Sequence, residues 1–148
     1  MKGTEVENSV VFSGGCLCGT VRYEVAMAPA MMGDCYCLDC RRSSGAAHCA
    51  HMGVPKAAVK LSGEVARFEK PADSGNIVTR CFCPNCGSPI YSTNSAMPEL
   101  LFIRASSLDD PEIYSPQLTV YASRAPSWGR IDPNVPSFAA MPPNAPGG

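Results

Sequence analysis

Cysteine placement constrains this chain more than any other feature. Nine cysteines occur in 148 residues. Eight of them lie in three tight groups: C-L-C (Cys16, Cys18), C-Y-C-L-D-C (Cys35, Cys37, Cys40) and C-F-C-P-N-C (Cys81, Cys83, Cys86). Such close clusters are metal-ligand spacing far more often than disulfide spacing, and an odd count leaves one thiol unpaired. Met1 to Ser9 lack the basic start and apolar run of a signal peptide. No apolar stretch approaches the roughly 20 residues of a membrane helix. The expected compartment is therefore the cytoplasm, where thiols stay reduced.

Zinc takes four ligands tetrahedrally at about 2.3 Å, which puts neighbouring sulfurs about 3.8 Å apart. Two cysteines one or two residues apart reach that separation on a tight turn, and glycine relaxes the backbone there. Gly15 and Gly19 flank Cys16 and Cys18, and Gly87 follows Cys86. Cys16, Cys18, Cys83 and Cys86 together make a closed four-thiolate structural site that staples distant segments. Cys35, Cys37 and Cys40 supply three ligands locally and no fourth, the arrangement of a catalytic zinc with an open position. Three thiolates make the ion a weak Lewis acid, better suited to holding another thiol as a nucleophile than to activating water. The alternative is a second closed site, with Cys49 or Cys81 as fourth ligand; the sequence leaves it open. Cys49 otherwise reads as a small buried residue in a strand, and Cys81 as a packing residue.

The rest of the chain reads as all-β with little helix. Pro and Gly together number 27, favouring short strands joined by turns. Strands are expected at 10–12 (broken by Gly14-Gly15), 20–25, 48–54, 65–69, 77–82, 89–93 and 118–122, and the apolar segment 100–105 is expected to be buried. Residues 41–46 read as a loop or single helical turn, 56–58 as a short helix, and the Pro- and Gly-rich end beyond Pro142 as mobile. The formal net charge of −1 excludes a broad basic field for nucleic acid or anionic lipid.

G-G-C-L-C-G at 14–19, C-Y-C-L-D-C-R-R-S-S-G at 35–45 and F-C-P-N-C-G-S-P at 82–89 resemble the glutathione-dependent formaldehyde-activating enzyme family, which includes the domain of centromere protein V. Y-A-S-R-A-P-S-W at 121–128 and P-S-F-A-A-M-P at 136–142 resemble the family's ending. The resemblance implies a β-tent domain over residues 11–142, between a short N-terminal segment (1–10) and a tail (143–148). It implies two zinc ions, one structural on Cys16, Cys18, Cys83 and Cys86 and one catalytic on Cys35, Cys37 and Cys40. The implied activity joins glutathione to formaldehyde, a carbon–sulfur lyase reaction in reverse. Tyr36 and Asp34 stand where family members often carry histidine.

The expected partner is a small thiol or thiol adduct, not nucleic acid or membrane; a homodimer is compatible but not required. A non-catalytic two-zinc scaffold is the alternative. Candidate substrate contacts are Arg41 and Arg42, whose forked donors suit a carboxylate, together with Tyr36 and His48. His48 and His51 both fall on a strand near the site as candidate proton carriers or hydrogen-bonded partners. Trp128 is expected to pack.

Overall fold

A computed structural model describes residues 9–143. The described residues form ten strands and one α-helix: β1 (Phe12–Gly15), β2 (Arg22–Val25), β3 (Met31–Cys35), α1 (Leu38–Ser44), β4 (Cys49–Pro55), β5 (Val59–Ser62), β6 (Ala66–Pro71), β7 (Ile77–Phe82), β8 (Pro89–Asn94), β9 (Leu100–Arg104) and β10 (Leu118–Val120). They make a small sheet in the order β1-β2-β5 and a seven-stranded sheet in the order β10-β3-β4-β9-β8-β7-β6. All pairings are antiparallel except β10 with β3. The all-β expectation is therefore met. The N-terminal residues 1–8 and the last residues of the Pro- and Gly-rich end lie outside the described residues.

Period-two alternation sorts the large sheet into two faces. From β4, Met52 and Val54 point to one side with Leu101 and Ile103 of β9, and all four are buried. They meet Phe12, Tyr23 and Val25 of the small sheet, and Val21 just before β2, in one cluster. Each such side chain contributes about 1.5–3 kcal/mol on burial. The opposite face carries Gly33 and Cys35 of β3, His51 of β4, and Phe102 and Arg104 of β9. The pairs His51↔Gly33 and His51↔Arg104 put them in one cross-strand row.

Several elements differ from the sequence reading. β1 runs through Gly14 and Gly15 rather than ending before them. At Gly14 a Cβ would collide with the Tyr23 phenol and the Ser107 carbonyl, so glycine serves close packing here, not a break. The phenol hydrogen-bonds the Ser107 hydroxyl at 2.7 Å. β3 and β5 are further strands: M-M-G-D-C lacks a clear alternation, and V-K-L-S alternates over only four residues. Residues 38–44 complete a seven-residue helix, ended by Gly45 in the left-handed region with its N–H on the Arg41 carbonyl at 3.1 Å. Trp128 is 63% exposed and does not pack as expected. The P-S-F-A-A-M segment flanks β10: Phe138 N–H donates to the Thr119 carbonyl at 2.9 Å, and Tyr121 N–H to the Ala140 carbonyl at 3.2 Å. It thereby covers what would be an open sheet edge.

Gly14→Ala should overpack this contact. A loss of about 1–3 kcal/mol is expected, read as a lower urea midpoint at unchanged slope; an unchanged midpoint would mean the Tyr23–Ser107 contact yields freely.

Candidate functional site

Two tight turns bring the first four sulfurs together. The Cys16 turn closes with Gly19 N–H on the Cys16 carbonyl at 3.2 Å, and Gly19 adopts φ 85°. The second closes with Gly87 N–H on the Cys83 carbonyl at 2.8 Å, and Gly87 adopts φ 80°. Both angles favour glycine. A register shift in β7 at Cys81/Phe82 redirects the chain into this second turn. Leu17 N–H donates to the Ser88 hydroxyl at 3.0 Å, tying one turn to the other.

The sulfurs of Cys16, Cys18, Cys83 and Cys86 all lie within 4.8 Å of one another. Cys16–Cys18 is 3.7 Å and Cys18–Cys83 is 3.8 Å, matching the roughly 3.8 Å edge of a zinc–thiolate tetrahedron. Surrounding donors point at the sulfurs. Val21 N–H reaches Cys16 Sγ at 3.2 Å, Asn85 N–H reaches Cys83 Sγ at 3.4 Å, and Asn85 Nδ2 reaches Cys18 Sγ at 3.2 Å. Thr20 and Ser88 hydroxyls lie 3.1 and 3.2 Å from Cys18 and Cys86. Such partners stabilise thiolates and orient them as ligands. The donor set and spacing fit a soft tetrahedral cation.

The other trio forms where β3 passes into α1. Cys35 ends the strand, Cys37 caps the helix by accepting from Cys40 N–H at 3.3 Å, and Cys40 lies in the first turn. Their sulfurs also lie within 4.8 Å of one another. Cys37 accepts hydrogen bonds from Cys35 and Cys40 and is pulled well below the ordinary thiol pKa, whereas Cys35 and Cys40 are raised. Thiols this close cannot all ionise on their own; a divalent cation among them reverses that balance. Among the described residues no fourth His, Cys, Asp or Glu joins this trio at the same spacing. Cys40 belongs to a second group with Cys49 and His51, also within 4.8 Å. Cys49 is buried behind the trio and Cys81 is in neither group.

His51 links the trio to a buried cation. Arg104 Nη1 donates to His51 Nδ1 at 3.0 Å, to the Ser92 hydroxyl at 3.0 Å and to the Phe102 carbonyl at 3.2 Å. A guanidinium only donates, so Nδ1 is the accepting nitrogen and Nε2 carries the proton. Nε2 lies 3.5 Å from Cys40 Sγ. Burial, then the Arg104 charge, hold His51 below its usual pKa, keeping it neutral. Arg104 is 5% exposed and has no carboxylate partner among the described residues. A negatively charged thiolate centre beside it offsets an otherwise costly buried charge.

The trio opens onto a cavity of about 440 Å³, within the usual range of small-molecule sites. Cys35, Cys37, Cys40, His51, Arg104 and Tyr121 line it. Tyr121, which follows β10, is the one non-glycine residue with positive φ among those described, at 54°. Burial raises the pKa of its phenol. Arg41, Arg42, Tyr36 and His48 do not line this cavity. Tyr36 is buried on the other side of β3, its hydroxyl donating to the Arg130 carbonyl at 3.3 Å and its ring 4.9 Å from that of His48. Asp34 shares that side, accepting from the Tyr114 hydroxyl at 2.6 Å and lying 3.5 Å from His48 Nε2. Sequence reasoning missed Lys70, Arg80, Arg104 and Tyr121 as cavity residues. Only Tyr121 carried a signal, as the first residue of Y-A-S-R-A-P-S-W.

The model of the family described as "Glutathione-dependent formaldehyde-activating enzyme" matches residues 11–124. The chain belongs to this family. Formaldehyde activation with glutathione is thus the activity its membership suggests, and a thiol the partner. A solved structure of a Rhodobacter sphaeroides protein is similar in fold, with TM-score 0.55 and 16% identity over 85% of this chain and 98% of that one. Among the described residues no helix is long and apolar enough to cross a membrane.

An ion held by the four-sulfur turns would make the fold depend on metal. Cys86→Ser is expected to lower bound metal and to abolish the cooperative thermal transition, and strong chelation should do the same to the parent. Elemental analysis with calorimetry checks both; unaltered melting after complete metal removal would contradict a stapling role.

Proposed function

We propose that the chain is a two-zinc enzyme of one domain, over residues 11–142, that joins a small thiol to formaldehyde or cleaves the adduct. In the lyase direction it breaks a carbon–sulfur bond. Cys16, Cys18, Cys83 and Cys86 hold the structural ion, and Cys35, Cys37 and Cys40 hold the catalytic one. The observation that carries this reading is the trio facing the cavity, with no fourth His, Cys, Asp or Glu within the same spacing of all three among the described residues. Free thiol ligands suit a reducing compartment such as the cytoplasm.

A zinc ion on three cysteines would keep a fourth sulfur, that of the substrate, ionised near neutral pH. The chain's own groups supply the rest. His51 Nε2–H donates toward Cys40 and fixes its orientation, with Arg104 locking the tautomer. Leu38 and Val120 line the cavity beside the trio and limit water there. The substrate thiol proton leaves to solvent and its sulfur forms a bond to the formaldehyde carbon. The carbonyl π pair moves to oxygen, which takes a proton from the Tyr121 phenol; solvent returns that proton to Tyr121. The sum is thiol plus formaldehyde giving the S-hydroxymethyl adduct, with no net proton consumed. Tyr121 can donate because it lines the cavity with the trio and its phenol, like any tyrosine's, is protonated at neutral pH.

Cys37→Ser should keep the fold, bind one zinc per chain in place of two and lose turnover of glutathione with formaldehyde. Retention of both ions and full turnover would refute the open site. X-ray absorption finding four protein sulfurs at both ions would favour the non-catalytic scaffold. Tyr121→Phe should lower turnover by about 10²–10⁴-fold at unchanged zinc content; undiminished turnover would remove Tyr121 from the mechanism.

A further inference from the structure

We infer that Arg80 of β7 anchors a carboxylate of the thiol substrate, so that the cavity selects thiols carrying an anionic group remote from sulfur. This rests on the open-trio reading above. Arg80 lines both the 440 Å³ cavity and an adjoining one of about 230 Å³. Its Nε is the single buried side-chain nitrogen or oxygen without a hydrogen-bond partner among the described residues. Buried donors in native proteins are almost always satisfied, and an exception calls for an explanation such as an absent ligand.

Charge makes the same demand. Lys70, Arg80, Arg104 and Arg124 line the large cavity. Lys70 pairs with Asp39 at 3.0 Å and Arg124 with Asp73 at 3.5 Å. Arg104 is committed to His51, Ser92 and the Phe102 carbonyl. Arg80 has no ion pair among the described residues, and its planar fork suits a carboxylate. Three strand spacings separate β4, whose His51 touches Cys40, from β7. That is about 14 Å of sheet, shortened by the reach of the arginine side chain. Phe102, which shares the Gly53–Phe102–Ser92–Arg80 row, furnishes apolar surface between, and Leu100 and Val78 line the cavity beyond that row. A tripeptide-sized thiol acid spans this distance and a two-carbon thiol does not.

The test uses protein carrying cobalt(II) in place of zinc, with thiolate-to-cobalt absorption reporting binding of glutathione, glutathione dimethyl ester and 2-mercaptoethanol. Unaltered protein should bind glutathione about tenfold or more tightly than either thiol that lacks a carboxylate, the factor expected of one charge-assisted contact. Arg80→Gln should erase most of that advantage while changing 2-mercaptoethanol affinity less than about twofold, and Arg80→Lys should keep part of it. Equal affinity for the acid and its ester on unaltered protein would overturn the anchor without use of a variant. So would an equal loss for all three thiols in Arg80→Gln. If no thiol perturbs the cobalt absorption, the open-position reading falls instead, and the anchor with it.

Discussion

Four thiol sulfurs drawn within 4.8 Å of one another can ionise together only around a cation, and the rest of the structure is arranged about the two turns that bring them together. Cys16 and Cys18 lie on the turn between β1 and β2; Cys83 and Cys86 lie on the turn between β7 and β8. Joining them clamps the edge of the small sheet to the large one. Among the described residues no long helix adds to the apolar cluster between the sheets. A metal ion held by the four sulfurs would add stability as a staple between them.

With one face of the seven-stranded sheet sealed against the small sheet, the other face is free to be polar. Alternation along β9 buries Leu101 and Ile103 in the core and turns Phe102 and Arg104 to the cavity. Arg104 then stands beside a cysteine trio instead of a carboxylate. The trio and the guanidinium, with His51 between them, offset each other's charge in a site where either alone would be costly.

The same alternation explains why the sequence-based substrate contacts did not converge. His48 and His51 are three residues apart on one extended segment, so they cannot face the same way. His51 reaches the trio, and His48 joins Asp34 and Tyr36 on the reverse side. Asp34 and Tyr36, the two departures from the family pattern, flank Cys35 in sequence and point away from it for that reason. Arg41 and Arg42 follow Cys40 directly, but neither lines the cavity. Adjacency to a ligand along the chain does not give adjacency to its open side.

The sequence by itself determined the all-β class, the family and the grouping of the cysteines. These features are local: a thiol pair on a glycine-bearing turn needs only a few residues to declare itself, and Gly19 and Gly87 adopt the positive φ that such turns require. It did not reveal β3, since M-M-G-D-C is strand only because β4 and β10 pair with it on either side. Nor did it reveal which polar residues line the cavity. Lys70, Arg80, Arg104 and Tyr121 come from four separate segments, and the tertiary fold brings them to one cavity. Tertiary structure decided the cavity because a side chain's face depends on its strand's partners, which no short stretch of sequence contains.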